Sequence, residues 1–550
     1  MRIQILFQIL LSTLIYAQAV FEPVNSDVYD FLEKHSIKGN ISFNYEIKPI
    51  LRIEIAKYII LLDQLRDNLN NLDKELLEFY KSDYDYEINN LSTGSDPAED
   101  KIKIKPEFFI TDSNKRIRLF EYAGKDFSLF ADPMLSFSLE SIAGERLFIR
   151  RNGLSAYGYI MKNWGYSFSF FDNEESGKNL DIYKNITSTR GTSVTKLKKD
   201  AFEYDVVNAS LSYQWDNGCI SIGKEYFNFG NGRYGNIILS DKAPSFPFIR
   251  LDYKPVDWLS FFYFHGFLVS NVIDSSSIRT GSFESRVSLV DIPKFLAFHS
   301  ISIYPSRAIS LTFGESIVYS EFLQPVYFIP IMFFRVADHY LSRGNASATG
   351  NAQLFADASY INSDIKSKFY GSVFIDELSF NSLFSGGNLS AVGFTAGIEA
   401  RDFLVENSKL GFEYSRLNPF LYMNSVTAQT FKNDDYSLGH WIGSNGDIIS
   451  ISYGQYLTRA LSLSVQFNYL RKGKTELPKE QYSQPYPETL YGERLNISSF
   501  EFKVKFKPYH PLNILAYYRF ENVTDSEEGR LPEYRTGKMN NFGITASYGF

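Results

Sequence analysis

From about Lys101 onward the chain alternates apolar and polar residues with a period of two. Leu461, Leu463, Val465, Phe467 and Tyr469 are apolar, and Ser462, Ser464, Gln466 and Asn468 between them are polar. Phe500, Phe502, Val504 and Phe506 alternate in the same way with Glu501, Lys503, Lys505 and Lys507, and Phe542 to Phe550 repeats the pattern. Successive side chains of a strand point to opposite faces, so each segment has one apolar and one polar face. A soluble sandwich and a membrane barrel both satisfy that rule, and the connections choose between them. Short turns at Asn217-Gly218, Tyr304 to Arg307, Ile361 to Asp364, Tyr456 to Ala460 and Lys507 to Leu512 alternate with long polar segments. The long ones are Asn173 to Asp200, Ser425 to Asn445, Arg471 to Arg494 and Asn522 to Asn541. Short turns at one end and long loops at the other are the mark of an outer-membrane barrel, and counting back from Phe550 to Met134 gives about eighteen strands, an even number. The reading is a mainly β protein, a large transmembrane antiparallel β-barrel.

Before Lys101 the spacing is helical. Val28, Phe31 and Leu32 share a face behind Ser26 or Asp27 as N-cap. Pro49 suits the start of a second helix carrying Ile53, Ala56, Ile60 and Leu61, and Leu69, Leu72, Leu76 and Phe79 suggest a third. A polar linker is expected from Asn89 to Asp100. At the extreme N-terminus, Arg2, the mostly apolar run Ile3 to Tyr16 and Ala17-Gln18-Ala19 read as a cleaved secretory signal peptide. The expected organisation is therefore a signal peptide at 1–19, a small periplasmic helical bundle with its linker at 20–100, and the outer-membrane barrel at 101–550.

Composition sharpens this picture. The chain is 44% hydrophobic, with a mean hydropathy of −0.20, values a soluble protein could share. A barrel reaches the same average because only alternate residues meet lipid. The 49 Phe and 38 Tyr are the anomaly. Tyrosine suits places where one end of the ring is apolar and the other wet, so most Tyr are expected at strand ends and outer loops. Beyond the N-terminus no apolar run is long enough for a membrane helix. A net charge of −7 argues against nucleic acid as a partner. Cys219 is the only cysteine, which excludes an internal disulfide, and it follows the turn at Asn217-Gly218 as an ordinary thiol.

Few motifs suggest chemistry. Gly230-Asn231-Gly232-Arg233-Tyr234-Gly235 matches G-x-G-x-x-G, but Pro244 and Pro247 follow and no βαβ pattern surrounds it. It reads as a loop whose glycines serve the backbone. The six histidines, His35, His265, His299, His339, His440 and His510, show no metal-ligand spacing, so neither metal nor cofactor is expected. Asp376 and Glu377 are adjacent and in a strand would point to opposite faces. Lys366, Lys368 and Asp376 share a parity opposite Phe369, Val373 and Ile375, and read as a polar lumen network rather than a catalytic site. No G-x-S-x-G elbow is present, and the expectation is that the protein is not an enzyme.

The motifs taken in order resemble the Wzi-type capsule-assembly proteins of bacterial outer membranes. Val28-Tyr29-Asp30-Phe31-Leu32 and Lys48-Pro49, Arg52, Glu54-Ile55-Ala56 carry the resemblance in the helical head. Phe229-Gly230-Asn231-Gly232, Leu239-Ser240-Asp241-Lys242-Ala243-Pro244 and Gly314-Glu315-Ser316 continue it. Tyr370-Gly371 with Asp376-Glu377, and Leu438-Gly439-His440 with Gly443, Asn445 and Asp447, complete it. Leu51 stands where a capping Ser or Thr is expected, and Ile329 precedes Pro330 where Asn is usual. The resemblance implies an eighteen-stranded barrel with a periplasmic helical bundle, acting as a lectin that holds capsular polysaccharide on the cell surface, without catalysis or cofactor.

Topology adds that Phe229 to Pro247 and Ser425 to Asn445 fall at outer, long-loop ends. Barrels of 16–18 strands leave an aqueous lumen unless something fills it. Asn231, Arg233, Tyr234, Asp241 and His440 are therefore candidates for a plug or for polysaccharide binding, and Tyr482, Tyr486 and Tyr491 for stacking on sugar rings. The expected partners are capsular or related surface polysaccharide and outer-membrane lipid. The alternatives are a porin-like channel for sugars or other small solutes, and an outer-membrane hydrolase, for which the sequence offers no paired nucleophile and base.

Overall fold

Eighteen antiparallel strands, from Phe127–Ile142 to Gly537–Tyr548, close into a barrel. Closure runs from Leu135 opposite Tyr548 to Ser141 opposite Phe542. The structure, a computed structural model, describes residues 19–93, 107–111, 116–277, 279–280, 287–341, 350–376, 391–482 and 485–549. The signal segment up to Gln18, the linker from residue 94, Glu377 and Phe550 lie outside the described residues. No described helix is long and apolar enough to cross a membrane.

Parity assigns the faces as the alternation predicted. Phe500 points outward and is 42% exposed, whereas its neighbour Glu501 points inward and is 6% exposed. The connections at 216–217, 257–258, 307–308, 363–366, 457–460 and 507–511 are short and lie at one end. The segments 178–200, 226–245, 269–277, 418–445 and 473–482 lie at the other. One connection at the long-loop end is itself tight: Ala143-Gly144, between Phe127–Ile142 and Glu145–Ile160, with both residues at positive φ.

The N-terminal part is a bundle of α1 (Val28–Ile37), α2 (Arg52–Gln64), α3 (Asn71–Asp83) and α4 (Asp85–Thr93). Its core is Phe31, Leu32, Ile55, Ile59, Leu62, Leu77 and Tyr84. Of the face expected for α2, Ile53 and Ala56 are buried, but Ile60 is only half-buried and Leu61 is exposed, because the buried stripe runs through Ile55, Ile59 and Leu62. Asn70 caps α3 by accepting from the Asp73 N–H at 2.7 Å. Leu51 occupies the N-cap of α2 and offers no side-chain cap. Asp27 does precede α1, but instead of capping it reaches across to Lys505 at 2.6 Å. One expectation needs correction: residues 89–93, read as linker, complete α4. Glu87, Asn90 and Leu91 pack there, and packing overrides the modest helix propensity of an Asn-rich stretch.

The bundle sits in the short-turn mouth of the barrel and touches its wall around the circumference. Glu87 accepts from the Tyr159 hydroxyl at 2.6 Å, and the Pro49 carbonyl accepts from Arg250 at 3.0 Å. Phe79 stacks on His510 with ring centroids 3.5 Å apart. Cys219 lies buried at the foot of its strand, packed with Ala19, Phe21, Leu51 and Ile53.

The tyrosine expectation is also corrected. Tyr29, Tyr84, Tyr159, Tyr370 and Tyr422 are all buried inside the bundle or the barrel, and Tyr327 is buried against the outer face of the wall. A barrel with a filled lumen has an interior to pack, and a phenol fills volume while its hydroxyl finds an acceptor. Tyr422 donates to the Ile237 carbonyl at 2.6 Å and Tyr370 to the Glu413 carboxylate at 2.8 Å.

Candidate functional site

At the long-loop end, 226–245 and 418–445 turn down into the lumen. Phe227, Phe229, Ile237, Ile238 and Leu239 from the first pack with Leu421, Tyr422, Phe431, Leu438 and Ile442 from the second. Wall residues Phe264, Phe298 and Phe355 close around them. An inserted loop carries backbone N–H groups that no strand partner satisfies, and a buried N–H without an acceptor is costly.

The wall supplies the acceptors as carboxylates. Glu413 accepts from the backbone N–H groups of Arg233 at 2.6 Å and Tyr234 at 3.2 Å, and from the Tyr370 hydroxyl at 2.8 Å. Asp357 accepts from the Asn231 N–H at 3.2 Å, and Asp376 from the Tyr422 N–H at 2.7 Å. On the outer face of the wall Glu315 does the same for the Phe334 N–H of a short helix packed there.

The glycine pattern follows from this close fit. A Cβ on Gly235 would stand 2.4 Å from Nε2 of His440, and Gly230 has a φ of +116°. The motif shapes a loop against a wall, with no helix behind it.

Below the loops lies a buried layer of charge that joins three parts of the chain. Glu33 of α1 pairs with Lys368 of the wall at 2.7 Å and with Arg233 of the inserted loop. Arg233 also meets Glu399 at 3.2 Å, and Glu399 meets Arg401 at 2.6 Å. Arg401 and Lys409 each hold Asp30 at 2.7 Å. Burial alone would raise the pKa of Glu33, but Arg233 and Lys368 hold it well below the usual carboxylate range. Burial opposes Arg401 and Lys409 at Asp30 with the same outcome. Both carboxylates are therefore ionised, as a layer of alternating charge requires.

The sequence candidates fall at several levels of this arrangement. Asn231, Arg233 and Tyr234 lie in the inserted loop, and the Asn231 amide oxygen accepts from Lys368 at 2.6 Å. The Tyr234 carbonyl accepts from the Trp441 indole at 2.6 Å. Asp241 pairs with Arg190 at 2.6 Å, and its carboxyl is lowered because Arg190 outweighs the effect of burial. His440 is fully buried, and burial, aided by Lys472, pushes its pKa down to about 3. Lys368, Asp376 and Lys366 serve three different contacts. Lys368 joins the charge layer, Asp376 anchors the upper loop, and Lys366 sits at the short-turn rim, 3.3 Å from Asp402.

Of the three loop tyrosines, Tyr486 donates to the Pro419 carbonyl at 2.6 Å and packs on Phe420, which Tyr491 also meets. Tyr482 is exposed. Sequence reasoning missed Asp357, Glu399, Arg401 and Glu413. Their signal was a lone charge at inward parity, as at Glu413 between Phe412 and Tyr414. Among the described residues no cluster of three or more His, Cys, Asp or Glu is placed to hold a metal ion.

Residues 328–529 match the family model described as capsule assembly protein Wzi. Among solved structures, the chain is similar to the Escherichia coli outer-membrane protein Wzi, described as a carbohydrate-binding β-barrel involved in group 1 capsule assembly. The TM-score is 0.56 at 11% identity, over 97% of this chain and 100% of that one. Pseudomonas aeruginosa OprD aligns with a TM-score of 0.43 at 11% identity, over 80% of this chain and 98% of that one. No curated protein matches the chain significantly by sequence. The chain is a closed eighteen-stranded antiparallel β-barrel that matches the Wzi capsule assembly family model over residues 328–529 and is similar in fold to Wzi along nearly its whole length.

Proposed function

We propose that this barrel is a non-catalytic surface lectin that attaches capsular or related surface polysaccharide to the outside of the cell. The N-terminal bundle faces the periplasm, and the long-loop end carries the polysaccharide-binding surface. The observation that carries the reading is the filled lumen. Two separate parts of the chain enter it from opposite ends, and both are bonded to the wall by buried charge. A solute pore gains nothing from such stoppers, whereas a rigid platform for outer loops does. Asn231, Arg233, Tyr234, Asp241 and His440 act in this reading as the plug that sets the platform, and Tyr482, exposed at the outer end, is a candidate to stack on sugar. The test is retention of capsule by cells with and without the gene. Equal cell-bound polysaccharide in the two strains would sink the proposal.

One observation favours the second reading, a porin-like channel. Along the wall from Leu461–Lys472 through Gly537–Tyr548 to Trp164–Gly177, inward residues such as Arg151, Gln466, Lys503 and Arg519 stay partly solvent-accessible. A wet crescent therefore flanks the plug on one side. Planar-bilayer recording separates the readings: a lectin gives no stable large conductance steps, and a channel gives them.

A further inference from the structure

The barrel wall has a breach at its outer rim. Strand Gly218–Glu225 is short and pairs with Ala201–Trp215 only from Ala209 to Trp215. Above it, the small strand Val194–Leu197 folds back onto Phe202, Glu203 and Tyr204. Between these two contacts, Asp205 to Asn208 have no ladder partner on that side among the described residues. Alternate backbone N–H and C=O groups of such a stretch face the gap.

The gap opens into a recess of about 150 Å³ that passes from the outside of the wall to its inside. Tyr204 and Tyr226 form its buried floor, Asp205 and Lys224 its outward flank, and Ser193 and Asp434 its upper lip. The lip is fixed in place. Asp434 accepts from Ser193 and from Asn271, the latter at 3.0 Å, and Asn433 beside it bonds both Val269 and Pro244. The flank is not engaged: Asp205 and Lys224 make no hydrogen bond or ion pair among the described residues.

We infer that this recess is a saccharide subsite, which takes one hydroxyl-rich ring of the surface polysaccharide. The inference rests on the lectin reading above and names where on the outer surface the polymer is gripped. Aromatic floor, free carboxylate, free ammonium and unpaired backbone groups around a space this small are the elements of sugar recognition. A ring lies on an apolar face while its hydroxyls bond to charged and backbone partners. A peptide strand fits less well, because four residues of open edge are shorter than an ordinary strand. A purely anionic headgroup would meet Asp205 and Asp434 beside Lys224. The place also suits the task. The recess opens sideways through the wall at its outer end, so a polymer lying along the barrel would reach it without entering the lumen.

The test uses the full-length protein in detergent and fluorescently labelled capsular polysaccharide purified from the bacterium that carries it. The doubly substituted Asp205→Asn, Lys224→Gln protein is expected to bind at least about tenfold more weakly, the loss of one or two charge-assisted hydrogen bonds. Val206→Trp, which fills the recess, is expected to abolish binding. Heat-modifiable gel migration checks that each variant is folded. As a guard against a folding defect, Lys224→Cys is labelled with a bulky maleimide after folding, since Cys219 is buried. Labelling is expected to block binding. Full-strength binding by all the folded variants and by the labelled protein would overturn the subsite and leave the lectin reading standing. Absence of binding by the unsubstituted protein would overturn the lectin reading, and the subsite with it.

Discussion

The two stoppers of this barrel are held by different chemistry. The bundle at the short-turn end has its own core and meets the wall through side-chain charge: Asp27 to Lys505, Asp30 to Arg401, Glu33 to Lys368. The loops at the long-loop end carry only two-residue strands and a single 3-10 turn, which leave part of their backbone to be satisfied by the wall. They meet the wall through apolar packing, and the wall aims carboxylates at their N–H groups. The contrast teaches a rule about inserted segments. A segment that folds on itself needs only complementary charge to dock, whereas an irregular one must be given acceptors by its surroundings.

The largest effect expected is from breaking the buried charge layer. Arg401→Ala leaves Asp30 and Glu399 facing each other with one cation fewer, and removal of one partner from a buried pair costs about 3–5 kcal/mol. Urea unfolding in detergent should show that loss, with the bundle becoming protease-sensitive first. An unchanged midpoint would mean the layer is hydrated and the contrast between the stoppers is false. Ile237→Ala tests the other side. It removes a fully buried side chain from the loop core and should cost about 2–4 kcal/mol. Here proteolysis should begin in 226–245 with the bundle still protected.

Acid sharpens the comparison, because each stopper holds one buried histidine. Burial pushes His35 in the bundle and His440 in the outer loops to about 3. Both folded values are depressed below that of the unfolded chain. Between them the unfolded state binds more protons, so stability is complete above about pH 6.5 and falls as pH falls, by roughly 2 kcal/mol per ring at about pH 5. The stoppers then diverge. Lowered carboxylates contribute stability above their unfolded values and lose it as pH falls towards the folded ones. The bundle side has Asp27, Asp30, Glu33 and Asp73, against Asp241 in the outer loops. Below about pH 4 the bundle should therefore release first. Hydrogen exchange at stepped pH measures the order, and outer loops opening first would contradict it.

The barrel was legible because strand parity and connection length are local properties. Leu461 to Tyr469 declares its two faces without reference to any other strand. Its inward contents were not legible to the same degree. Glu413 looks like any polar residue on a wet lumen face until the loop carrying Arg233 and Tyr234 is seen against it, 180 and 179 residues away in sequence. The glycines at 230 and 235 signalled a constrained backbone, but the constraint on Gly235 is the ring of His440, which only the tertiary fold supplies. Tyrosine was misplaced for a related reason. Composition argued for wet interfaces, and a filled lumen provides a second home, in which the hydroxyl bonds to protein instead of water.

The smallest effect expected is at the rim of the bundle, and it separates surface charge from buried charge within one stopper. Asp27 reaches Lys505 at 2.6 Å and Lys507 at 3.2 Å, but the carboxylate is 33% exposed. Exposed pairs contribute about 0.2–1 kcal/mol and weaken with salt. Asp27→Asn should therefore cost about 0.5 kcal/mol at low ionic strength and almost nothing at 1 M salt, where the Debye length shrinks to about 3 Å. The Arg401–Glu399 pair, 2% and 1% exposed, should lose little to the same salt. If unfolding midpoints of the Asp27 and Arg401 variants instead converge on the unsubstituted protein as salt rises, water reaches the inner layer. The bundle would then be a loosely docked lid, held by the same exposed electrostatics as its rim.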